Sequence, residues 1–243
     1  MAGHSHWANI KHKKGVNDRA KAKVLARMGK LIAIAVQLGS PKPEENPRLR
    51  LAIQKARASN MPMDAIERAI KKAAGIGVGD KPMSEVSYEG YAPGGVAIVV
   101  DALTDNRHRT APEIKKLFER AGGAIGAPGC VAWQFKDVSV FLVDCPSEDQ
   151  VMEALLAADA DAMDIVREGD QVAITAATQQ YDAIGQALGK AKLPVANSDL
   201  TKIPDNRVLV TDAEIARQIN DLVAALDEHP DVQDVFTNMD GGE

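Results

Sequence analysis

The sequence predicts a multidomain protein of the α and α+β classes, with an N-terminal three-helix bundle and two ferredoxin-like α+β domains, one inserted in the other. Three observations support this prediction. Apolar residues recur every three or four positions in the segments predicted as helices within residues 17–75, which is the period of amphipathic helices. From Val138 onward, the patterns follow the order strand-helix-strand-strand-helix-strand, the split βαβ arrangement. A strand-helix-strand pattern flanks that block on each side, which predicts the insertion; the alternative is that the flanks form two separate halves.

Three helices are predicted in the N-terminal part, which we call the head. The first covers residues 17–38, with an apolar stripe on one side and a row of cations on the other. Gly39 is expected to end this helix in the left-handed conformation. Asn46 is the expected N-cap of the second helix, with Pro47 at its first position, and the third helix opens near Met61. Residues 1–16 lack a helical period and predict a flexible basic arm.

The remainder, which we call the body, alternates between strands and helices. Two capping boxes, at residues 110–113 and 211–214, are expected to open the helices of its outer domain. The strands predicted there include Val96–Val100 and Val131–Phe135. The predicted domains are a head at residues 1–79, a discontinuous α+β domain at 80–136 and 202–243, and an inserted α+β domain at 137–201. In the inserted domain the predicted elements are Val138–Val143, Ser147–Ala158, Asp164–Arg167, Val172–Thr175, Gln179–Ala191 and Val195–Leu200.

The charge distribution separates head from body. Residues 1–75 hold 16 Lys and Arg against 5 Asp and Glu, a net charge of +11, whereas residues 76–243 carry a net charge of −16. The chain as a whole has a net charge of only −5. A basic head predicts a polyanion as partner, most simply a nucleic acid. The alternative is that the basic face of the head docks on the acidic body of the same chain.

Several classes of protein are excluded by composition. No apolar run approaches the roughly 20 residues of a membrane span, and the N-terminus lacks the apolar stretch of a secretory signal. Two cysteines, Cys130 and Cys145, are too few for a disulfide scaffold and fit a reducing cytoplasm. Cys130 is expected to be a core thiol in a strand. No metal site is expected, because the histidines of the arm have no cysteine or carboxylate among them.

Few residues in the chain suggest catalysis. The glycine-rich residues 74–81 have the wrong spacing for a phosphate loop and are interpreted as a hinge. Asp101, Asp105 and His108 form the one possible acid/base cluster, which leaves a hydrolase or transferase as the alternative function. The segment Leu103–Thr110 holds two arginines before a helix N-terminus. It is either an anion site or a cap-rich loop held by its own hydrogen bonds.

Many segments of the chain resemble the YebC/PmpR family. The resemblance covers essentially the whole chain, and the segments that carry it are Met1–Lys14, Asn46–Arg50, Lys55–Pro62, Ile66–Lys71, Tyr88–Gly95, Thr104–Arg107, Arg109–Thr110 and Asp231–Asn238. The sequence departs from the family pattern in Lys21–Lys30, at Ala92 and at Cys130. Because the charges survive, these departures affect fine specificity more than polyanion binding.

The resemblance implies a three-domain protein whose third domain is inserted in the second. It also implies a non-enzymatic, cytoplasmic regulator of gene expression. Bacterial members are described as probable DNA-binding transcriptional regulators, and related mitochondrial proteins are translational activators of cytochrome c oxidase subunit I. A more recent view of the family places bacterial members at the ribosome, easing synthesis of proline-rich stretches. DNA and ribosomal RNA therefore both remain possible partners, with no membrane, cofactor or small-molecule substrate, and the chain is expected to be a monomer.

Two sets of residues are predicted to contact nucleic acid. The cation row of the first helix contributes Arg19, Lys23, Arg27 and Lys30. Positions that match the family segments contribute Trp7, Lys11, Lys13, Lys14, Arg48, Arg50, Lys55, Arg57, Arg68, Lys71, Arg107 and Arg109. Cations of this kind contact phosphates, which position a protein without reading the base sequence.

Overall fold

The computed structural model describes residues 18–75, 82–145 and 147–240. It confirms the predicted class, a multidomain combination of a helical bundle and α+β sheets. The chain forms two compact units. Residues 133–207 make up one unit, and the described residues of 14–132 and 208–243 make up the other. Residues 76–81 of the predicted hinge lie outside the described residues, and the three-domain division stays a prediction.

The unit of residues 14–132 and 208–243, which we call the first unit, contains the three-helix bundle that the apolar period predicts. Its helices are α1 (Asp18–Gln37), α2 (Pro47–Ala58) and α3 (Met63–Ala74). A single apolar cluster joins them, and its fully or nearly fully buried members are Ile32, Ala35, Val36, Leu49, Ala52, Ala56, Ile66 and Ala73. The bundle therefore has its own small core, built from the residues at helical spacing.

Asn46 fixes the turn between α1 and α2. Its side-chain oxygen accepts a hydrogen bond from the Leu49 amide at 3.0 Å, which confirms it as the N-cap. Its Nδ2 group donates to the carbonyls of Ala35 and Ser40, both at 2.8 Å. The prediction of a left-handed Gly39 is wrong, since Gly39 does not have a positive φ. Glycine is required there for another reason, because a Cβ would lie 2.7 Å from Nδ2 of Asn46.

A four-stranded antiparallel sheet follows the bundle within the same unit. Its strands are β1 (Ser84–Tyr91), β2 (Ala97–Thr104), β3 (Ala124–Ile125) and β9 (Val232–Thr237), in the order β3-β1-β2-β9. Helices α4 (Arg107–Arg120) and α7 (Ala213–Glu228) share an apolar core with the sheet. Strands β8 (Val208–Leu209) and β10 (Met239–Asp240) form a separate parallel pair.

The sequence pattern did not predict strand β1, which occupies an interior position of this sheet. It pairs with β2 along its whole length, from Ser84 opposite Thr104 to Tyr91 opposite Ala97. Its sequence mixes serine, glutamate and glycine with only three large apolar or aromatic residues, so that no continuous apolar run marks it. The strand is identified only by its pairing with β2 and β3.

Both predicted capping boxes are displaced from the caps that the structure shows. Helix α4 begins at Arg107 with Asn106 as its cap, so that Thr110 lies in the helix interior and is fully buried. Pro112 therefore sits inside the helix and forgoes a backbone bond, whereas the prediction had placed it in the first turn. In α7 the cap is Asp212, whose carboxylate accepts hydrogen bonds from two amides of the first turn. Thr211 does not cap this helix.

The prediction of a strand at Val131–Phe135 is also wrong. Ala132–Gln134 form one turn of 3₁₀ helix, and strand β4 (Phe135–Val143) begins directly after it. Cys130 consequently lies in a loop and not in a strand. A short apolar run beside a tryptophan was not enough to specify a strand, because apolar runs of this length occur in several backbone conformations.

The second unit, residues 133–207, has the split βαβ topology that the sequence predicts. After β4 come α5 (Glu148–Leu156), β5 (Asp164–Glu168), β6 (Gln171–Ala177), α6 (Tyr181–Lys190) and β7 (Val195–Pro204). The sheet order is β5-β6-β4-β7, and each pair is antiparallel. Both helices bury apolar residues against the sheet in one cluster. No helix among the described residues is long and apolar enough to cross a membrane.

Candidate nucleic-acid interface

Five predicted contact residues cannot be located in the structure. Trp7, Lys11, Lys13 and Lys14 lie outside the described residues, and Arg19 is described only as part of the backbone of α1. Their assignment to nucleic acid therefore stays a prediction. The remaining eleven are described, and the contacts that they make divide them into distinct groups.

Two cations of the α1 row, Arg27 and Lys30, contact acidic residues of the same unit at the end of α7 and directly before β9, although both were predicted to contact nucleic acid. Arg27 donates to the carbonyl oxygen of Asp227 and lies 3.8 Å from its carboxylate. The Nζ atom of Lys30 lies 2.5 Å from Oδ1 of Asp231. Burial lowers the pKa of Lys23, and so does the neighbouring Arg27, against the opposing charges of the α7 terminus. Part of the basic head thus docks on the acidic body, as the alternative interpretation of the charges proposed.

Asp231 is the centre of this docking. Its side chain is only 3% exposed and accepts hydrogen bonds from Lys30, from Arg109 at 2.5 Å and from Thr110 at 2.8 Å. Burial alone raises the pKa of this carboxyl, but the three hydrogen bonds outweigh it and hold the pKa well below its usual range. The hydrogen bond and charge of Asp231 in turn raise the pKa of Arg109. The carboxylate therefore remains ionised and ties α1, α4 and the start of β9 together.

Three further arginines of the predicted set have partners inside the same unit. Arg48 forms an ion pair with Glu85 at the start of β1, and burial lowers its pKa. Arg107 donates to the backbone carbonyl of Glu85 at 3.2 Å. Arg50 donates to the carbonyls of the 3₁₀ turn that precedes α2. These contacts hold the guanidinium groups in place, and of the three it is Arg48 whose charge is matched by a carboxylate.

The exposed cations of the α2–α3 hairpin form the remaining group. Arg57, Lys71 and Lys72 are exposed and have no hydrogen-bond or ion-pair partner among the described residues. Arg68 is exposed as well, but it pairs with Asp64 one turn earlier at 3.0 Å. Lys55 is half-buried. Lys72 was missing from the predicted contact set, although its position next to Lys71 on an exposed helix face was a sufficient signal.

The segment Leu103–Thr110 is held by its own hydrogen bonds. The Asn106 side chain caps α4, and Thr104 Oγ1 accepts from the Asn106 amide at 2.9 Å and contacts Thr110 Oγ1 at 2.8 Å. A cleft of about 410 Å³ opens beside it. This cleft has three carboxylates, of Asp105, Glu113 and Asp231, against the two cations Lys30 and Arg109. The excess of negative charge disfavours an anion there.

The possible acid/base cluster is not assembled in the structure. Asp101 lies within β2, where it pairs with Ser87 and Asp234 of the neighbouring strands. Asp105 is four residues further on, about 13 Å along an extended chain, and His108 is exposed in the first turn of α4. Among the residues that the structure describes, no three His, Cys, Asp or Glu side chains are grouped so that they could hold a metal ion.

Glu89 organises a loop that the sequence pattern did not single out. It is 7% exposed, and its carboxylate accepts from the amides of Gly129 at 2.7 Å, Val131 at 2.9 Å and Ala132 at 2.7 Å. Burial raises its pKa, but the three amides reverse this and lower it. The loop also holds Cys130, whose pKa is raised by burial and by the charge of Glu89. A thiol with a raised pKa is a poor nucleophile at neutral pH.

Comparison with known proteins gives a consistent result along the whole chain. Residues 5–76 match the family model described as the TACO1/YebC protein N-terminal domain, and residues 83–239 match that of the TACO1/YebC second and third domain. A relative from Natranaerobius thermophilus, named a probable transcriptional regulatory protein, is 42% identical over 99% of this chain and 96% of its own length. One from Sulfurihydrogenibium sp., of the same descriptive name, is 44% identical over 99% of this chain and 96% of its own. The crystal structure of a conserved hypothetical protein from Aquifex aeolicus superposes with a TM-score of 0.85 at 39% identity, covering 98% of both chains.

Proposed function

The chain belongs to the TACO1/YebC family, and from that premise we propose that it is a non-enzymatic, cytoplasmic regulator of gene expression that binds the phosphate backbone of structured RNA at the ribosome. Relatives named as probable transcriptional regulatory proteins support a regulatory role. The observation that carries the proposal is the set of exposed cations on the α2–α3 hairpin, Arg57, Lys71 and Lys72, which lack a partner among the described residues.

The contacts of the cations in the head support binding to the phosphate backbone of a nucleic acid. Arg27 and Lys30 are already neutralised by acidic residues of the same unit, so they are not free to bind phosphate. The cations that remain exposed lie on a helical hairpin, where ammonium and guanidinium groups are freely accessible to a polyanion. Contacts of this kind contribute affinity that depends on salt and carries no sequence information.

RNA is favoured over sequence-specific duplex DNA by the helix N-termini of the bundle. A recognition helix reads bases in the major groove with polar side chains near its start. At the start of α2, Asn46 is buried and fully used by the turn, and Arg48 is paired with Glu85. Helix α3 starts with Met63, which is apolar, and Asp64, whose carboxylate pairs with Arg68 at 3.0 Å. The starts of α2 and α3 therefore offer phosphate contacts without an evident set of base-reading side chains.

The separation of the possible acid/base residues is the reason for proposing a non-enzymatic role. Asp101 lies in β2, Asp105 in the connection that follows it and His108 in the first turn of α4. Asp105 forms an ion pair with Arg109 at 3.3 Å. Catalysis by general acids and bases needs the groups within hydrogen-bond reach of one substrate.

The test is a triple variant, Arg57→Glu, Lys71→Glu and Lys72→Glu, in the full chain. Affinity for ribosomes, for random duplex DNA and for promoter-sized duplex is measured at equal salt, over a series of salt concentrations. Three lost phosphate contacts should lower ribosome affinity by about two orders of magnitude and reduce the slope of log K against log salt by about three. The matched control is Lys116→Glu, an exposed cation on α4 outside the head, which should bind like the wild type.

Two results would overturn the proposal. If the triple variant bound ribosomes as the wild type does, the hairpin would not be the contact surface. If the wild type bound one duplex sequence far more tightly than ribosomes or random duplex, the partner would be DNA and the role transcriptional. Cooperative thermal unfolding of the variant, at the wild-type temperature, excludes loss of the fold as the cause.

A further inference from the structure

The second unit displays large apolar side chains on its outside, around helix α5. Leu156 is 74% exposed, Met163 is 57% exposed and Met152 is 46% exposed. Single exposed apolar residues are common on protein surfaces, but clustered ones mark interaction sites. These three fall within a stretch of twelve residues. Met152 lies in the middle of α5, Leu156 is its last residue, and Met163 directly precedes β5.

Helix α5 is apolar on two faces. Its inner face packs Val151 and Leu155 into the core, where they are 0% and 3% exposed. Met152 and Leu156 are four residues apart and so lie one above the other on a different face, open to solvent. A helix that only covers its own sheet needs one apolar stripe. The second apolar face is therefore surplus to the fold of this unit.

Met163 lies at the edge of the sheet, directly before β5. Its amide donates to the Thr175 carbonyl at 2.8 Å, which fixes it next to the start of β5. Strand β5 is an edge strand, since it pairs only with β6 among the described strands. Edge strands and apolar helix faces are both common sites of peptide recognition.

Carboxylates outnumber cations along the segment that carries these side chains. Residues 144–167 include seven carboxylates, all on exposed residues, and one cation, Arg167, whose amide donates to the Glu148 carboxylate. Two of them, Asp144 and Glu148, accept hydrogen bonds from the adjacent strands. The other five form no ion pair with a described residue; they are Asp149, Glu153, Asp159, Asp161 and Asp164. A surface of this charge repels nucleic acid and attracts cations of a protein partner.

We propose that this acidic apolar face, formed by Met152, Leu156 and Met163 with the carboxylates around them, is a docking surface for a basic protein segment. The segment is rich in Lys and Arg and carries apolar side chains three or four residues apart. The apolar side chains supply the affinity by filling the space over Met152 and Leu156, and the carboxylates supply orientation and a fast association rate. The proposal goes beyond nucleic-acid binding, since it assigns a protein partner to the second unit.

The probe is a fluorescein-labelled peptide of about 14 residues, long enough for roughly four helical turns, with lysine at most positions and leucine at three positions of helical spacing. Its affinity for the full chain is measured by fluorescence anisotropy. The variant Met152→Ser with Leu156→Ser keeps every charge and should weaken binding at least about tenfold, because two apolar contacts are lost. Val195→Ser is the matched control. Val195 is 40% exposed on β7 at the opposite edge of the same sheet, and its loss should leave affinity unchanged.

A second measurement separates apolar docking from simple attraction between charges. A peptide in which serine replaces the three leucines should bind at least about tenfold more weakly to the wild type. Hydrogen exchange of the wild type with the leucine peptide should show new protection within residues 148–164. Equal binding of both peptides, or of both protein variants, would overturn the proposal. So would a dimer in sedimentation that Leu156→Ser dissolves, because a second copy would then be the occupant.

Discussion

Replacing Asp231 by Asn is expected to lower the free energy of unfolding by about 3 kcal/mol, because the contacts of Asp231 with α1 and α4 are weakened. The wild-type carboxylate accepts three side-chain hydrogen bonds, from Lys30, Arg109 and Thr110. A hydrogen bond to a charged group contributes about 1.5 kcal/mol net. Asn is uncharged, and its amide nitrogen replaces either the oxygen that accepts from Lys30 or the one that accepts from both Arg109 and Thr110. One or two of the three bonds are therefore lost and the remaining ones lose the charge of their acceptor, which together amounts to about 3 kcal/mol.

The exposure of Lys30 and Arg109 limits the loss of stability that the Asp231→Asn change causes. Removing one partner of a fully buried ion pair costs about 3–5 kcal/mol, because the remaining charge stays desolvated. The side chains of Lys30 and Arg109 are 26% and 44% exposed, so water can solvate them again after the change. The expected value therefore lies at the low end of that range. Asp105→Asn is the matched control, since Asp105 also pairs with Arg109 but is 49% exposed. It should change the stability by less than about 0.5 kcal/mol.

The pH dependence of the free energy of unfolding gives a second test of the role of Asp231. The pKa of Asp231 is lowered in the folded protein, whereas the pKa of an aspartate in an unfolded chain is about 3.9. The stability that the charge contributes is therefore fully present above the unfolded pKa and is lost as the pH falls through the folded pKa. The difference between wild type and Asp231→Asn should be constant from pH 7 to about pH 5 and should narrow below about pH 4.

Urea unfolding of the full chain, followed by circular dichroism at several pH values, measures this difference when the slope with denaturant is unchanged. A difference under about 1 kcal/mol at pH 7 would contradict the assignment of Asp231 as the centre of the docking. A difference at pH 3 as large as at pH 7 would show that its ionisation is not what stabilises the contact.

Two further substitutions test local predictions. Glu89→Gln should weaken the loop that Glu89 holds by about 2–3 kcal/mol, because the new amide group faces backbone N–H donors. Since the pKa of Glu89 is lowered, hydrogen exchange at the Val131 amide should differ between variant and wild type above about pH 5 and converge below about pH 4. Asn46→Ala should lower the free energy of unfolding by about 2–4 kcal/mol, because the cap is lost and two carbonyls lose their donor. Thermal unfolding measures this change. Gln54→Ala, at an exposed position of α2, is the control for this change, and we expect it to leave the unfolding temperature unaltered.

Much of the architecture follows from the period of apolar residues. The bundle core, the split βαβ unit and the N-cap Asn46 were predicted correctly, because each depends on residues close together in the chain. Strand β1 was not, because its side chains are half polar and its partner β2 supplies the pairing. The caps of α4 and α7 were displaced by one to four residues, since several residues near each start are able to cap and only the packed structure selects one.

The candidate nucleic-acid interface was likewise predicted only in part from the sequence. Composition alone indicated a basic head and an acidic body, and it left open whether the cations bind a polyanion or the body. The structure shows that Arg27 and Lys30 on α1 meet Asp227 and Asp231, about 200 residues away in sequence. No local pattern specifies such a pair, because it depends on how α1 lies against segments that are distant in the chain.

The sequence by itself therefore determined the type and order of most elements, the fold class and the charge of each part. These properties depend on side-chain period and composition, which are local and additive along the chain. Only the tertiary structure decided which cations are neutralised within the chain and which of the described ones stay exposed on the α2–α3 hairpin. That choice depends on contacts between distant segments, and the buried carboxylate of Asp231 is the group around which those contacts form.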